Sequence, residues 1–471
     1  MKRLSIELNK NSEEKYYIQL YEDIKSEILL GNLQVGDKLP SIRQSSIKFK
    51  ISMTTVLQAY SMLEKYGYIE KIPGKGCFVK KIENFTLEKK VLPLLNTFKY
   101  GQYLESSAIN FSNGTPPSKY FPLEIYKKLS KDILEKYGAS VFEYQNVQGV
   151  QSLREVLSEY LEKEDIFVTE NEILITSGTQ QCLEIVLKLF SENLELTVLV
   201  SDPTYPNALN IFQGNCNIRT IELEEDGWNM EKLEEILKHE KIDLVYEVIN
   251  FHNPTGVVWS DEKRKKLLHL AKKYNFYVVE DDSFSEFFYT GEKPKPLKSL
   301  DRINSERVIY IRTFSKTIMP GIGIALMIIP PLLQEKGILA KYGIDTTTSG
   351  LNQRILEEFI RENYFPEHIS KIKNILKVKY EHMFKILENS KNLKIVIKPR
   401  GGFFFWVRIL KDINIENFYG KAIEEGISLL PGSTFYNSGK MVPIIRLSFT
   451  VPTLTEIEKG IKKIDNLIDE F

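Results

Sequence analysis

The spacing of hydrophobic residues changes along the chain, and the changes separate a small N-terminal region from a larger remainder. Between residues 17 and 30, apolar residues recur every three or four positions, which predicts a helix. Two shorter helical patterns follow at residues 42–49 and 53–66, with Ser41 and Ser52 placed to cap them. Apolar runs at residues 68–72 and 77–79 flank a Pro-Gly-Lys-Gly turn, which predicts a β-hairpin.

From Ile109 onwards, short apolar runs alternate with helical patterns. The predicted strands are residues 173–176, 197–201, 218–223, 244–250, 276–280 and 308–312, and the helices between them are residues 180–190, 206–213, 230–238 and 262–274. This alternation predicts a mostly parallel α/β sheet with helices on both faces. Helical patterns at residues 352–387 and a few short strands then predict a smaller C-terminal α+β part.

Domain boundaries follow from these patterns. We expect a winged helix-turn-helix unit at residues 14–81, a linker at residues 82–107 where the periodicity fades, and an α/β domain at residues 108–471. Within that domain, the large part would cover about residues 108–345 and the small part about residues 346–471. Three short helices and a hairpin are typical of DNA-binding winged helices, although a small helical domain that binds protein or nothing has the same pattern.

Composition limits the classes of function. The chain has 471 residues, with 63 lysines and arginines against 63 acidic residues, so its overall charge attracts no polyanion. Residues 32–80, however, hold 8 basic and 3 acidic residues, and this local charge of +5 (8 − 3) favours a nucleic-acid surface. The three cysteines have neither metal nor disulfide spacing, which favours the cytoplasm and predicts no metal site. The absence of a run of about 18 apolar residues predicts no membrane span.

Short motifs in the N-terminal unit resemble the winged-helix domain of the GntR family of bacterial regulators. They are Leu39-Pro-Ser-Ile-Arg43, Ser52-Met-Thr-Thr-Val56, Tyr66-Gly-Tyr-Ile-Glu70 and Gly74-Lys-Gly76. The resemblance implies that double-stranded DNA is contacted by Arg43, Ser52, Thr54 and Thr55, and that the wing around Lys75 reaches phosphates or the minor groove. Met53 departs from the family, which usually has arginine there, so we expect a changed operator.

A lysine carries the candidate chemistry of the larger domain. Lys316 lies between a predicted strand at residues 307–312 and an apolar run at residues 322–329. Burial would lower the pKa of its amine and make it a nucleophile that can form a Schiff base. A lysine in an exposed loop is the alternative interpretation, and the residues upstream favour the first one.

Four other motifs follow predicted strands. They are Ser177-Gly178-Thr179 at the start of a helix, Tyr205 after a strand, the Asn253-Pro-Thr-Gly turn, and Asp281 at a strand end. Backbone N–H groups at a helix start bind phosphate, an aromatic ring can stack on a planar ligand, and a carboxylate can pair with a pyridinium nitrogen. Taken singly, each motif also fits a cap, a turn or a packed tyrosine. Because ligands bind at the carboxyl ends of parallel strands, we expect these residues to meet at one edge of the sheet.

In this order, Ser-Gly-Thr-Gln-Gln, Asn-Pro-Thr-Gly, Glu-Asp-Asp and Phe-Ser-Lys resemble the fold-type I aminotransferases that use pyridoxal 5′-phosphate. The resemblance runs from about residue 109 to the C-terminus. It implies that Lys316 binds the cofactor covalently and that Arg446 binds a substrate or effector carboxylate through its fork. The other implied cofactor contacts are the phosphate ligands Ser177, Gly178, Thr179 and Ser315, the ring-stacking Tyr205, Asn253 at the ring hydroxyl and Asp281 at the ring nitrogen.

Two positions depart from that family. Ser283 stands where the Asp-Asp-Tyr version of the motif has a tyrosine that contacts the ring oxygen. Gly323 stands where an arginine usually binds the cofactor phosphate. A hydrogen bond to a charged group contributes roughly 1.5–3 kcal/mol, so its loss would weaken cofactor binding about ten- to a hundredfold unless another cation substitutes.

A GntR-type winged helix joined to an aminotransferase-like domain resembles the MocR/GabR-type regulators within the GntR family. The resemblance implies a cytoplasmic homodimer whose DNA binding responds to pyridoxal 5′-phosphate and to an amine or amino acid effector. We therefore expect a transcriptional regulator. Two alternatives are an active aminotransferase with a DNA-binding appendage and a regulator whose pocket no longer binds the cofactor.

Overall fold

The computed structural model describes residues 15–29, 33, 36–65, 68–72, 75–80, 108–193, 195–301 and 306–471. The chain divides into two compact units, Met1–Glu88 and Lys89–Phe471. The predicted linker at residues 82–107 lies outside the described residues, as do the turn at Pro73 and Gly74 and the predicted helix stop at residues 31–32. Within the described part, no helix is long and apolar enough to cross a membrane.

The N-terminal unit has the three helices and the antiparallel hairpin that its sequence predicts. Its elements are α1 (Tyr16–Leu29), α2 (Ile42–Phe49), α3 (Met53–Lys65), β1 (Ile69–Ile72) and β2 (Gly76–Val79). Apolar faces of α1 and α3 form its core. Ser41 caps α2 by accepting from the N–H of Gln44, and Ser52 caps α3 by accepting from the N–H of Thr55.

The larger unit is built on an eight-stranded sheet. Its strands are β4 (Ile173–Thr176), β5 (Thr197–Asp202), β6 (Asn217–Glu224), β7 (Gly227–Trp228), β8 (Leu244–Glu247), β9 (Tyr277–Asp281), β10 (Val308–Thr313) and β11 (Ala325–Ile328). They are ordered β4-β11-β10-β9-β8-β5-β6-β7. The strands β10, β9, β8, β5 and β6 run parallel to one another. Strand β11 is antiparallel to both β10 and β4, and β7 is antiparallel to β6. The predicted mostly parallel sheet is therefore confirmed.

Helices connect and pack against these strands. They are α4 (Leu123–Tyr137), α5 (Gln151–Glu162), α6 (Thr179–Leu189), α7 (Pro206–Phe212), α8 (Met230–His239), α9 (Asp261–Tyr274), α10 (Pro331–Tyr342), α11 (Gly350–Arg361) and α12 (Tyr364–Glu388). Helix α10 was not predicted, and it begins at the second residue of a Pro-Pro pair. A proline is favourable at the first helical position, because the N–H that it lacks would have no partner there.

The small part has an antiparallel sheet in the order β12-β13-β16-β15, formed by β12 (Leu393–Ile395), β13 (Phe404–Ile409), β15 (Leu430–Pro431) and β16 (Ile444–Ser448). Helix α12 packs against this part, on β12 and on α14 (Leu454–Asp469). The other helix is α13 (Ile415–Glu424), and α14 was not predicted. A short strand β14 (Ile427–Ser428) pairs with β3 (Ile109–Asn110), so the first residues of the predicted large part join the small part.

The packing of one helix bears on the boundary between the large and small parts. Helix α11, predicted to lie in the small part, packs against α4 and α5. The side chain of Gln353 accepts a hydrogen bond from the N–H of Val150 at 2.7 Å, which fastens α11 to the large part. We propose a boundary near residue 362 in place of residue 345.

Candidate functional site

A cavity of about 600 Å³ lies where β4, β5, β9 and β10 end. All nine residues predicted to bind the cofactor or a carboxylate line it: Ser177, Gly178, Thr179, Tyr205, Asn253, Asp281, Ser315, Lys316 and Arg446. They come from six separate segments, of which five lie at or after the ends of strands of the large sheet and the sixth, with Arg446, belongs to the sheet of the small part. Their proximity is observed, while their contacts to a ligand stay predictions.

Lys316 presents its amine to this cavity. Its Nζ donates a hydrogen bond to Thr115 Oγ1 at 2.9 Å. Burial, and then the positive charge of Arg446, lower the pKa of Lys316 to about 8, while Asp281 acts in the opposite direction. A share of the amine is therefore unprotonated near neutral pH and can act as a nucleophile.

Asp281, at the end of β9, is buried and accepts hydrogen bonds from two hydroxyl groups. Tyr246 donates to Oδ2 at 3.1 Å, and Ser283 donates to Oδ1. Burial raises the pKa of Asp281 to about 6, and these two hydroxyls limit the rise. The carboxylate is therefore mostly charged at neutral pH and can hold a ring nitrogen protonated. The hydroxyl of Ser283 is thus engaged by Asp281, a role different from that of the tyrosine it replaces.

Three of the four predicted phosphate ligands, Ser177, Gly178 and Thr179, lie at the N-terminus of α6, and Ser315 follows β10. Gly178 caps this helix with a φ of 142°, a conformation that side chains rarely adopt. The hydroxyl of Ser177 donates to Asp345 Oδ2 at 3.0 Å, and the N–H of Ser177 donates to Gln181 Oε1 at 2.7 Å. Because Ser177 is engaged in this way, the N–H groups of the first turn of α6 are the donors best placed for a phosphate.

Gly323 lies close to the same helix end. A Cβ atom built on Gly323 would lie 3.9 Å from the carbonyl oxygen of Ser177, with nothing nearer. Gly323 also has a φ of 57°, in the left-handed region. There is therefore room for a larger side chain beside the N-terminus of α6, where we expect a phosphate to bind. Glycine places no charged group there.

Arg446, on β16, is buried and holds two partners. Nη1 donates to Asn253 Oδ1 at 3.0 Å, and Nη2 donates to the carbonyl oxygen of Ser112 at 2.5 Å. The guanidinium carbon lies 4.0 Å from the centre of the Phe404 ring. In the part of the chain that the structure describes, Nε has no hydrogen-bond partner, and burial lowers the pKa of Arg446 to about 9. A buried guanidinium with a free N–H suits an incoming carboxylate.

The donor set fits a phosphorylated pyridine aldehyde. Lys316 offers an amine of lowered pKa, Asp281 offers a carboxylate for a ring nitrogen, and the start of α6 offers N–H groups for a phosphate. Arg446, whose guanidinium lines the cavity, fits a further carboxylate on an amino acid.

Several contributors to the site were missed in the sequence. Ser112 directly precedes, and Thr115 belongs to, an Asn-Gly-Thr-Pro turn after β3, where the sequence indicated only the start of the domain. That turn was a usable sign, because such turns point short polar side chains at strand ends. Tyr246 sits in a wholly buried strand, and Asp345 follows the missed helix α10, so no local pattern marked either one.

The residues predicted to contact DNA belong to the N-terminal unit. Arg43, Thr54 and Lys75 are exposed. The hydroxyls of Ser52 and Thr55 lie 2.8 Å apart, so both are engaged in capping α3. Helices α2 and α3 have the arrangement of a helix-turn-helix, and the individual DNA contacts stay predictions.

Comparison with known families agrees with this division of the chain. The family "Aminotransferase class I and II" matches residues 106–464, and the family "Bacterial regulatory proteins, gntR family" matches residues 16–79. Aromatic-amino-acid aminotransferase 1 of Thermococcus litoralis is 33% identical over 78% of this chain and 89% of its own. The HTH-type transcriptional regulator YdfD of Bacillus subtilis, itself uncharacterized, is 29% identical over 97% of this chain and 96% of its own.

Solved structures share the fold of the larger unit. A kynurenine aminotransferase of Pyrococcus horikoshii, in complex with PMP, is 34% identical with a TM-score of 0.74, over 81% of this chain and 94% of that one. LysN of Thermus thermophilus, an α-aminoadipate aminotransferase complexed with N-(5′-phosphopyridoxyl)-L-leucine, is 28% identical with a TM-score of 0.72, over 79% and 96%. The chain therefore belongs to the class I and II aminotransferase family and carries a GntR-family DNA-binding domain at its N-terminal end, an arrangement that it shares with HTH-type transcriptional regulators over nearly its full length.

Proposed function

We propose that this chain is a DNA-binding transcriptional regulator that binds pyridoxal 5′-phosphate at Lys316 and senses an amine or amino acid. The observation that carries the proposal is the convergence of nine predicted residues on one cavity, in a chain that also has a GntR domain. When bound, the cofactor supplies an aldehyde that captures amines and a ring that withdraws electrons.

The side chains of the cavity divide the recognition between them. The hydroxyl of Thr115 accepts a hydrogen bond from Lys316 Nζ and orients the amine. Asp281 holds a proton on the ring nitrogen, and Tyr246 and Ser283 keep its carboxylate charged. Arg446 binds the carboxylate of an amino acid, because its fork of N–H groups matches two carboxylate oxygens.

Regulation requires that the effector bind one state of the chain better than another. We propose that these states are conformations of a cytoplasmic homodimer and that they differ in affinity for operator DNA. The GntR match at residues 16–79 supports the DNA partner, and the resemblance to MocR/GabR-type regulators supports the dimer.

Absorption spectroscopy tests the cofactor first. The purified chain with added pyridoxal 5′-phosphate should give a visible band that borohydride removes, leaving a reduced adduct on Lys316 in peptide maps. Lys316→Ala should give neither, while Lys336→Ala, which removes an exposed lysine, should give both. An unmodified chain without band and adduct would refute the cofactor site. Lys316→Ala should also abolish the effect of amines on operator binding, and an unchanged effect would refute sensing at this residue.

An active aminotransferase is the second candidate function. The observation in its favour is that Lys316, Asp281 and Arg446 line one cavity in a unit that is 33% identical to an aminotransferase. Turnover must retain the cofactor after the lysine bond has been broken, and Gly323 supplies no charge to the phosphate. Amino transfer from a panel of amino acids to keto acids distinguishes the two, since a regulator should bind the amino acids without multiple turnovers.

A further inference from the structure

The outward face of α3 combines apolar and amide side chains. Met53 is 58% exposed and Leu57 is 45% exposed, and they lie one helical turn apart. Thr54, which follows Met53, and Gln58, which follows Leu57, are exposed on the same face. The opposite face, which includes Val56, is buried in the core of the unit. Packing in the core therefore explains the apolar residues of the buried face. It does not explain why Met53 and Leu57 are apolar on the exposed face.

The first three turns of α3 carry no charge. From Met53 to Leu63 the helix contains no charged residue, and its two charged residues, Glu64 and Lys65, come at its C-terminal end. Exposed cations on other elements include Arg43 of α2 and Lys75 of the hairpin. Cations beside the uncharged start of a helix suit a DNA duplex, whose phosphates flank the major groove that the helix enters.

Base chemistry then limits what this face can read. Guanine is usually read by arginine or lysine, adenine by asparagine or glutamine through two hydrogen bonds, and the methyl group of thymine by apolar side chains. Gln58 can pair with adenine, and Met53 and Leu57 can contact methyl groups. We infer that α3 reads A·T base pairs of the operator, with Gln58 on adenine and with Met53 and Leu57 on thymine methyl groups. This inference rests on the proposed function of the chain as a DNA-binding regulator.

An exposed apolar pair such as Met53 and Leu57 could also bind a partner protein instead of DNA. Two observations favour DNA. Residues 32–80 carry a local charge of +5 (8 − 3), which attracts a polyanion. Met53 and Leu57 also lie in the first two turns of α3, the part of a recognition helix that contacts base edges.

Replacing thymine by uracil tests the inference on the full chain. Duplexes that bind are first selected from a random library, and each thymine of the selected site is then replaced singly by uracil. This keeps the base pair and removes only the methyl group. We expect a selected site dominated by A·T pairs, with thymines at which uracil weakens binding about three- to fivefold, the contribution of one buried methyl group.

Variants of α3 show which residue causes each loss of affinity and each base preference. Met53→Ala and Leu57→Ala should each abolish the thymine–uracil difference at one position of a half-site, and Gln58→Ala should relax selection for one adenine. Ile47→Ala is the matched control, because Ile47 of α2 is an apolar residue that is 71% exposed, and it should leave every difference unchanged. All four side chains are exposed, so thermal unfolding should stay as in the unmodified chain.

The outcomes separate the inference from the proposed function. Equal binding of thymine and uracil duplexes by the unmodified chain, or a selected site dominated by G·C pairs, would overturn the readout and leave the regulator intact. Uracil effects that persist in Met53→Ala and Leu57→Ala would overturn it as well and indicate a protein contact for these residues. Failure of the chain to select any duplex would overturn both proposals.

Discussion

The hydroxyl of Ser177 donates a hydrogen bond to the carboxylate of Asp345, with Oγ and Oδ2 3.0 Å apart. The same oxygen accepts from Gln181 Nε2 at 3.1 Å and lies 4.0 Å from Nζ of Lys341. Lys341 is fully buried, and in the described part of the chain its amine has no hydrogen-bond partner. A carboxylate and a lysine thus stand beside the helix end that we expect to bind phosphate, close to the position where Gly323 provides no charge.

We expect Lys341→Met to weaken binding of pyridoxal 5′-phosphate about tenfold, or about 1.4 kcal/mol. Without Lys341, the negative charge of Asp345 would face an incoming phosphate uncompensated, and charges interact strongly where protein excludes water. Pyridoxal, which lacks the phosphate, should bind equally well to both forms. Absorbance titration with the two ligands measures the difference.

Two further variants control this prediction. Asp345→Asn combined with Lys341→Met removes both charges and should restore most of the affinity. Lys336→Met removes an exposed lysine from the same helix and should change nothing. If pyridoxal and its phosphate lost affinity to the same extent, Lys341 would have a structural role only.

Gly323→Arg should strengthen cofactor binding by about tenfold or more, since a hydrogen bond to a charged group contributes roughly 1.5–3 kcal/mol. The φ of 57° at Gly323 should make the same variant less stable by about 1–2 kcal/mol, because a side chain is strained in the left-handed region. Cofactor titration measures the first effect and denaturant unfolding of the cofactor-free chain measures the second. Gly323→Ala, with strain but no charge, should reproduce only the loss of stability; an equal gain in affinity would contradict the electrostatic explanation.

The rate of covalent cofactor capture should rise with pH through about 8. The pKa of Lys316 is lowered to about 8, so the amine is mostly charged below this pH and mostly free above it. Arg446→Met removes a positive neighbour, which should raise the pKa of Lys316 and move the midpoint to higher pH. Asp281→Asn removes a negative neighbour and should move it lower. Stopped-flow absorbance from pH 6 to pH 10 gives these midpoints.

An exposed arginine provides the control for the pH profile. Arg408 of β13 is exposed, and Arg408→Met should leave the midpoint where it is in the unmodified chain. A midpoint that fails to move in both Arg446→Met and Asp281→Asn would show that burial alone sets the pKa of Lys316.

Arg43→Ala and Lys75→Ala should each weaken DNA binding by a similar factor for selected and random duplexes. Both residues are exposed cations, and a phosphate contact carries no sequence information. Each loss should also reduce the slope of log affinity against log salt by about 1. Fluorescence anisotropy over a range of salt concentrations measures both quantities. Lys127→Ala, on α4 of the larger unit, is the control, and a loss of affinity confined to the selected duplex would point to base contacts instead.

Local patterns of residues were enough to predict two units, the type of most elements and the edge of the sheet where the candidate site lies. Apolar spacing decides locally between helix and strand, and the alternation of strands and helices leaves parallel strand ends as the place for a ligand. Helix α10 was missed because a proline pair can end one element as readily as it begins the next.

The hydrogen-bond partner of each polar side chain, by contrast, became visible only in the folded chain. Ser177 and Asp345 are 168 residues apart in the chain, and Arg446 reaches both Asn253 and Ser112 from another sheet. The folded chain also showed that the hydroxyl of Ser283 donates a hydrogen bond to the carboxylate of Asp281. Such pairings follow from how separate elements stack on one another, and the spacing of residues within an element carries no record of them.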